Sequence, residues 1–465
     1  MRLPRFPPTR GCALVALGAV LLAALSACTS DGPPPSDSTQ GPAPARPLAY
    51  APGTGPSPEL PAPEGSLIPT VRIAPAIGWP DDGMPVPADG FSVTPFARGL
   101  DHPRTLYVLP NGDVLVAETN APPKPDGAKG IKGAVMKSVM KKAGAAVPSA
   151  DRITLLRDED GDGVAETRTV FLENLMSPFG MALVGDTFFV ANADAVVKFP
   201  YSTGQTRIDA APEKVADLPG GPINHHWTKA MVASRDGKRL YVGVGSNSNV
   251  AERGMAVEAM RAAILEVDPA TGSTRVFASG LRNPTAMDWH PRTGALWTVV
   301  NERDELGNDL VPDYLTSVRD GAFYGWPWSY FGQHVDTRVE PRNPAMVAKA
   351  VAPDYALGAH VAPLGLAFYT GSLLPARYRE GAFIGLHGSW NRDPLSGYSV
   401  AFVPFSNGIP SGPMEDVLGS FVNEEGQARG RPVGVAIDAR GGVLVADDVG
   451  NAVWRLAPAA LPKPR

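Results

Sequence analysis

Four short runs in this 465-residue chain combine residue types suited to proton transfer and anion binding. The run Asn224-His225-His226-Trp227-Thr228-Lys229 offers imidazole, which titrates near neutrality and can act as a general base. Adjacent side chains of an extended strand point to opposite faces, so at most one of the two histidines enters a shared site. Taken alone, the run reads better as a satisfied structural histidine than as a base. Arg282-Asn283 is followed, after the apolar strand 296–300, by Asn301-Glu302-Arg303-Asp304-Glu305. Carbonyls and a carboxylate on such a loop can hold a hard cation, and the same run also suits a solvated surface. His387-Gly388-Ser389-Trp390-Asn391-Arg392 follows another apolar strand, and Arg429-Gly430-Arg431 puts two guanidiniums on one face if extended. Two such forks call for an anion, and planar carboxylates match them.

Asp158-Glu159-Asp160-Gly161-Asp162-Gly163, with Glu166 after it, is a separate case. Asp158, Asp160 and Asp162 on a Gly-rich turn suit a second Ca²⁺, although Thr169 stands where the bidentate Glu of an EF-hand loop belongs. A polar hairpin turn without metal fits as well.

The elements that carry these runs are short and repetitive. A phrase Gly-Leu-x-x-Pro leads into an alternating strand, a turn and a Leu/Val strand at Gly99-Leu100-Asp101-His102-Pro103 and at Gly280-Leu281-Arg282-Asn283-Pro284. A shortened copy begins at Gly430-Arg431-Pro432, and Pro103 to Leu115, Pro284 to Leu296 and Pro432 to Leu444 are all steps of 12 residues. About six units begin near Phe91, Val170, Val215, Arg275, Val361 and Val417. The expected fold is all-β: a six-bladed β-propeller of four-stranded antiparallel blades, which closes a ring and so protects its edges. Residues 121–150 interrupt the first unit. Ile131, Val135 and Val139 at spacing four, beside Lys132, Lys137, Lys141 and Lys142, predict a short basic amphipathic helix there.

Arg2, Arg5 and Arg10 precede an apolar run ending in Leu25-Ser26-Ala27-Cys28. This reads as an export signal over 1–27, and the last four residues resemble a bacterial lipobox, with cleavage before Cys28 and lipidation of its sulfur. Cys12 is the second of only two cysteines, so the mature chain keeps no thiol for a disulfide, a nucleophile or a zinc site. Residues 28–66, rich in Pro and Gly, read as a tether, with the propeller over 67–465. A formal net charge of −5 argues against nucleic acid as a partner. No dinucleotide loop, nucleophile elbow or Cys-x-x-Cys-His haem motif occurs.

From about Phe91 to Leu456 the chain resembles the pyrroloquinoline-quinone (PQQ)-dependent aldose dehydrogenases, particularly the sorbosone/pyranose branch. The resemblance rests on Gly280-Leu281-Arg282-Asn283-Pro284, Tyr324-Gly325-Trp326-Pro327, the run 362–369, His387-Gly388-Ser389-Trp390-Asn391-Arg392, and Arg429-x-Arg431. It implies oxidation of a sugar at C1 by hydride transfer to PQQ, with His226 as base and Ca²⁺ polarising the quinone. It implies cofactor contacts from Arg104, Arg282, Asn283, His387, Arg429 and Arg431, and calcium ligation by the main-chain carbonyls of Glu302 and Arg303. His387 stands where the soluble glucose dehydrogenases carry a Lys. The expected partners are a small sugar and a separate respiratory electron acceptor, for a lipid-anchored protein of the bacterial envelope or periplasm. The competing expectations are a non-catalytic envelope propeller that binds carbohydrate or protein, and a Ca²⁺-dependent lactonase.

Overall fold

The computed structural model describes residues 49–64, 70–123 and 140–459. The expected signal 1–27, Cys28 and most of the expected tether lie outside these residues.

Six antiparallel sheets follow one another along the chain. Blade 1 consists of Pro103–Val108, Val114–Glu118, Arg152–Arg157 and Thr167–Leu172. Blade 2 runs from Gly180–Val184 to Glu213–Asp217 and blade 3 from Met231–Ala233 to Thr274–Ser279. Blade 4 begins at Pro284–Trp289, blade 5 at Pro363–Phe368 and blade 6 at Pro432–Ile437. Blade 6 takes its fourth strand from the front of the chain: Phe91–Arg98 pairs with Ala452–Pro458, Phe91 opposite Pro458 and Arg98 opposite Ala452. This clasp closes the ring. It also explains why the units read from the sequence are offset by one strand, each starting near the outer strand of the preceding blade.

The strands read as continuous apolar runs because both their faces are buried. In Val114–Glu118, Val114 and Val116 pack with Leu444 and Ala446 of blade 6, while Leu115 and Ala117 pack with Met181, Phe188 and Val190 of blade 2. Val443 and Val445 turn the other way, toward Phe383 and Phe402 of blade 5. Each of the six apolar clusters thus fills the gap between two neighbouring blades, and the core is a ring.

The first strands of successive blades touch one another around the central channel. Antiparallel order brings the connections into each first strand, and those between second and third strands, to the same end of the ring. The Gly-Leu-x-x-Pro phrase is the first kind of connection. Leu100 and Leu281 are buried, and Gly280 has φ 75°, where an added Cβ would meet the Phe323 ring at 2.6 Å. A register shift follows Pro103, Pro284, Pro363 and Pro432, whose missing N–H suits a bulge at the head of the strand. Arg104 occupies such a bulge.

Residues 49–64, within the stretch read as a tether, lie on the propeller. Thr54–Gly55 adds a fifth strand to blade 4, opposite Leu357 and Ala356, and Glu64 N–H donates to the Leu306 carbonyl at 2.9 Å. Val86–Pro87 extends blade 5 in the same way. Of the helix expected in the first blade, residues 140–142 are helical, and Ile131, Val135 and Val139 lie outside the described residues.

Candidate functional site

Two groups of polar side chains occupy the loop end of the ring that carries the Gly-Leu-x-x-Pro connections. The first is built on blades 3 and 4. His226 Nδ1 lies 2.7 Å from the Ser246 carbonyl, which can only accept, so Nδ1 carries the proton and the neutral ring keeps its lone pair on Nε2. Burial, then the Arg282 guanidinium and His225, hold the His226 pKa well below the ordinary 6.5. The ring is nevertheless partly exposed. His225 is exposed, its ring edge-on to His226 at 4.8 Å. Gly245 fits between base and neighbour: an added Cβ would meet Asn283 Oδ1 at 2.2 Å and His226 Cβ at 2.5 Å.

Arg282 is buried and donates to the Glu302 carbonyl at 2.6 Å, to Asn249 Oδ1 at 3.1 Å and to Asp304 Oδ2 at 3.2 Å. Asp304 also accepts from Asn391 Nδ2 at 2.8 Å and lies 3.6 Å from His360 Nδ1. Burial alone would raise its pKa, but His360 and Arg282 hold it below the carboxylate norm. Glu302, which burial pushes up to about 7, donates its N–H to Asp313 Oδ1 at 2.7 Å, and burial pushes Asp313 up to about 6. The Arg303 side chain turns away, bonding the Asp304 carbonyl and the buried Asp336. Asn283 Oδ1, Asn301 Oδ1 and Glu302 Oε1 are buried with no donor among the described residues. Oxygen acceptors that nothing neutralises are the donor set of a hard cation.

The second group is built on blades 1, 5 and 6 around Asp448. Its Oδ2 accepts from Arg104 Nη1 at 2.5 Å and from His387 Nε2 at 2.9 Å, with His102 Nε2 at 3.6 Å. His102 Nδ1 donates to the Asp448 carbonyl at 3.1 Å. Burial would raise Asp448, but His387, His102 and Arg104 hold it far below the usual range. Burial in turn lowers His387 to about 4. Arg431, 4% exposed, lies over the Tyr398 ring at 5.0 Å and donates to the Ala74 carbonyl at 3.2 Å; it forms no ion pair among the described residues. Ala74 belongs to a strap, residues 70–79, tied down through Trp390, Ala428 and Asp447. Arg104 Nε, Arg431 Nε and His102 Nε2 are buried and unpartnered, as is Asp448 Oδ1. With both histidines neutral, two guanidiniums face one carboxylate, an imbalance that a carboxylate ligand corrects.

The residues predicted to contact the cofactor, its metal or the substrate therefore fall into these two groups, apart from Arg429. The chain bends there, so Arg429 and Arg431 do not share an extended strand; Arg429 is half-buried and makes no side-chain hydrogen bond among the described residues. Asp448, His102, Asp304 and Arg261 were missed. His102 fills the Gly-Leu-x-x-Pro slot equivalent to Asn283, and Asp448 immediately follows the repeat strand Val443–Asp447, so both carried a positional signal. Asp158, Asp160 and Asp162 do come together, with Glu166 rather than Thr169, their oxygens within 4.8 Å of one another. They join the third and fourth strands of blade 1, at the opposite end of the ring. Asp158 already caps Gly161 and Gly163 N–H and meets Arg440 at 3.3 Å.

Fold and site together define a six-bladed propeller whose loop end carries a partly exposed imidazole within an acceptor-rich group and, on blades 1, 5 and 6, a cation-rich group. Residues 185–389 match the family model Glucose / Sorbosone dehydrogenase, and residues 332–459 match TrAA12-like. An uncharacterized protein of Borreliella burgdorferi is 29% identical over 245 residues, 51% of this chain and 62% of that protein. The pyrroloquinoline quinone-dependent pyranose dehydrogenase of Coprinopsis cinerea is 23% identical over 362 residues, 68% of this chain and 44% of that enzyme. This chain thus spans less than two thirds of either relative. A calcium structure of the Trichoderma reesei Carbohydrate-Active Enzymes Family AA12 superposes with a TM-score of 0.65 at 20% identity, covering 84% of this chain and 99% of that one. The resemblance carried by the motifs is borne out in these matches: the chain is similar to PQQ-dependent sugar dehydrogenases in sequence and in fold.

Proposed function

We propose that the protein is a quinone-dependent sugar dehydrogenase that oxidises an aldose or related sugar at C1, with His226 as general base. The observation that carries this is the placing of unpartnered buried atoms. Oxygen acceptors without donors occur at Asn283, Asn301 and Glu302, and guanidinium N–H groups without acceptors occur at Arg104 and Arg431, where Asp448 Oδ1 is also unpartnered. A planar polycarboxylate carrying a divalent cation suits these two groups: the main-chain carbonyls of Glu302 and Arg303 with the nearby acceptors would hold Ca²⁺, and Arg104, Arg282, Asn283, His387 and Arg431 would hold PQQ. Bound there, PQQ supplies the electrophilic carbon that accepts hydride, and Ca²⁺ polarises its carbonyl.

The chain itself supplies the proton acceptor. His226, held neutral by burial and neighbouring cations, takes the anomeric hydroxyl proton on Nε2, while Ser246 stabilises the resulting imidazolium through Nδ1. Arg282 anchors the loop 301–304 against the base. Export, lipid attachment through Cys28 and release of electrons to a separate envelope acceptor complete the proposal. A lactonase needs several carboxylates converging on its metal, and among the described residues such a cluster occurs only at Asp158, away from the channel's loop end.

The test is reconstitution. Protein freed of cofactor is loaded with PQQ and Ca²⁺, and dye reduction is followed with a panel of aldoses. Turnover that is lost on chelation and restored by Ca²⁺ is expected, with His226→Ala binding quinone but not turning over. Absence of both quinone binding and turnover with every sugar would overturn the proposal.

A further inference from the structure

One side chain, Arg261, joins the segment carrying His226 to the segment carrying its hydrogen-bond acceptor. Arg261 lies just before the third strand of blade 3, 6% exposed. Nη2 donates to the Pro219 carbonyl at 2.7 Å, to Asn224 Oδ1 at 2.9 Å and to the Ile223 carbonyl at 3.4 Å. Nη1 donates to the Gly245 carbonyl at 3.0 Å. The first three acceptors belong to the loop that ends in His226, and Gly245 immediately precedes Ser246.

Neighbouring groups reinforce the same junction. Lys229, fully buried, donates from Nζ to the Trp227 carbonyl at 2.9 Å and to Asn224 Oδ1 at 3.3 Å. Glu258, also buried, accepts from Asn247 N–H at 2.7 Å and from Ser248 Oγ, and its charge favours the guanidinium. Four acceptors on two segments need a planar fork with fixed donors; an ammonium in the same place is a point charge with a shorter reach. Breaking this set leaves the buried Gly245 carbonyl and Asn224 Oδ1 without their guanidinium donor.

We infer that Arg261 is the positioning residue of the base: it locks the loop 219–226 to the Gly245-Ser246 turn, so that His226 Nδ1 stays on the Ser246 carbonyl and Nε2 remains the free lone pair. The inference rests on His226 being the base. The charged groups facing His226 are Arg282 from the head of blade 4, His225 from its own loop and Arg261 itself.

The experiment compares Arg261→Lys, Arg261→Ala and His226→Ala in the full chain. The His226 imidazole is titrated by proton NMR in cofactor-free protein, assigned by difference with His226→Ala, and kcat and KM are measured after loading with PQQ and Ca²⁺. In Arg261→Lys, kcat is expected to fall about 10- to 100-fold with sugar KM nearly unchanged, the mark of a displaced catalytic group. In Arg261→Ala, the fall is larger, is partly reversed by added ethylguanidinium, and His226 titrates at higher pH because a neighbouring cation is gone. Arg261→Lys keeps the buried charge should Arg261→Ala fail to fold. Unchanged kcat per quinone-loaded molecule in Arg261→Lys, or a loss that follows only the folded fraction while the His226 titration stays put, would overturn the inference. Full turnover by His226→Ala would sink the assignment of the base instead, and the clamp would still be decided by the His226 tautomer in cofactor-free protein: nitrogen shifts showing the proton still fixed on Nδ1 in Arg261→Lys and Arg261→Ala would overturn it.

Discussion

His226 and Ser246 form the hydrogen bond that sets the site's chemistry: the imidazole Nδ1–H donates to a backbone carbonyl at 2.7 Å, leaving Nε2 as the only proton acceptor on the ring. A base works in its neutral form. Since burial, Arg282 and His225 lower the His226 pKa, the acid limb of kcat/KM should lie well below pH 6.5, with a plateau through neutrality. His226→Ala should cost about 10²- to 10⁴-fold in kcat and leave quinone binding intact. A pH-rate profile and quinone titration by absorbance check both.

Gly245 is the close approach that lets His226 and Asn283 sit side by side. Gly245→Ala places a methyl 2.2 Å from Asn283 Oδ1 and 2.5 Å from His226 Cβ, so one of them must move. The expected result is a loss of about 1–3 kcal/mol in stability with a disproportionate fall in kcat. Denaturant unfolding and steady-state kinetics of the same preparation separate the two effects.

Arg431 is a buried cation held by the Ala74 carbonyl and the Tyr398 ring, with no carboxylate paired to it among the described residues. Removing a charge-assisted contact of about 1.5–3 kcal/mol should weaken PQQ binding by about 10- to 100-fold in Arg431→Ala. Sugar KM at saturating quinone should change little. Equilibrium binding of PQQ to the cofactor-free protein measures this directly.

His387 links stability to pH in a definite direction. Its folded pKa of about 4 lies below the unfolded 6.5, so between these values the unfolded chain binds the proton first. The contribution to stability is complete above about pH 6.5 and declines as pH falls toward 4. His387→Asn should flatten that part of the melting-temperature profile, as differential scanning calorimetry between pH 4 and 7 will reveal.

Asp448 follows the same direction at lower pH, through pairing instead of burial. Its pKa is depressed by His387, His102 and Arg104, so its contribution is present above about pH 4 and lost on further acidification. Asp448→Ala leaves Arg104 without its ion-pair partner and should cost about 3–5 kcal/mol at neutral pH. Chemical denaturation at pH 7 is the measurement.

How much was visible in advance can be read off particular residues. Gly280, Leu281 and Pro284 announced a blade boundary, because a positive-φ turn, a buried anchor and a strand head without N–H are local requirements that the residue types reveal. The same locality made His226 and Arg282 conspicuous. Arg261 gave no such signal, since three of its four acceptors are backbone carbonyls that no residue type betrays. Asp448 lies 344 positions from Arg104 and 61 from His387, so their meeting depends on the ring being closed. Arg429 misled because the argument from alternation assumed an extended chain, and the backbone bends there.

The sequence by itself determined the repeat, the strands and the types of groups available at the channel, since periodic burial on both faces and turn stereochemistry are written into consecutive residues. Tertiary structure alone decided which cations meet which carboxylate, which His226 nitrogen is free, and that a strap from residues 70–79 places the Ala74 carbonyl on Arg431. Those outcomes depend on distances across a closed ring and on desolvation, and neither exists until the six blades have packed.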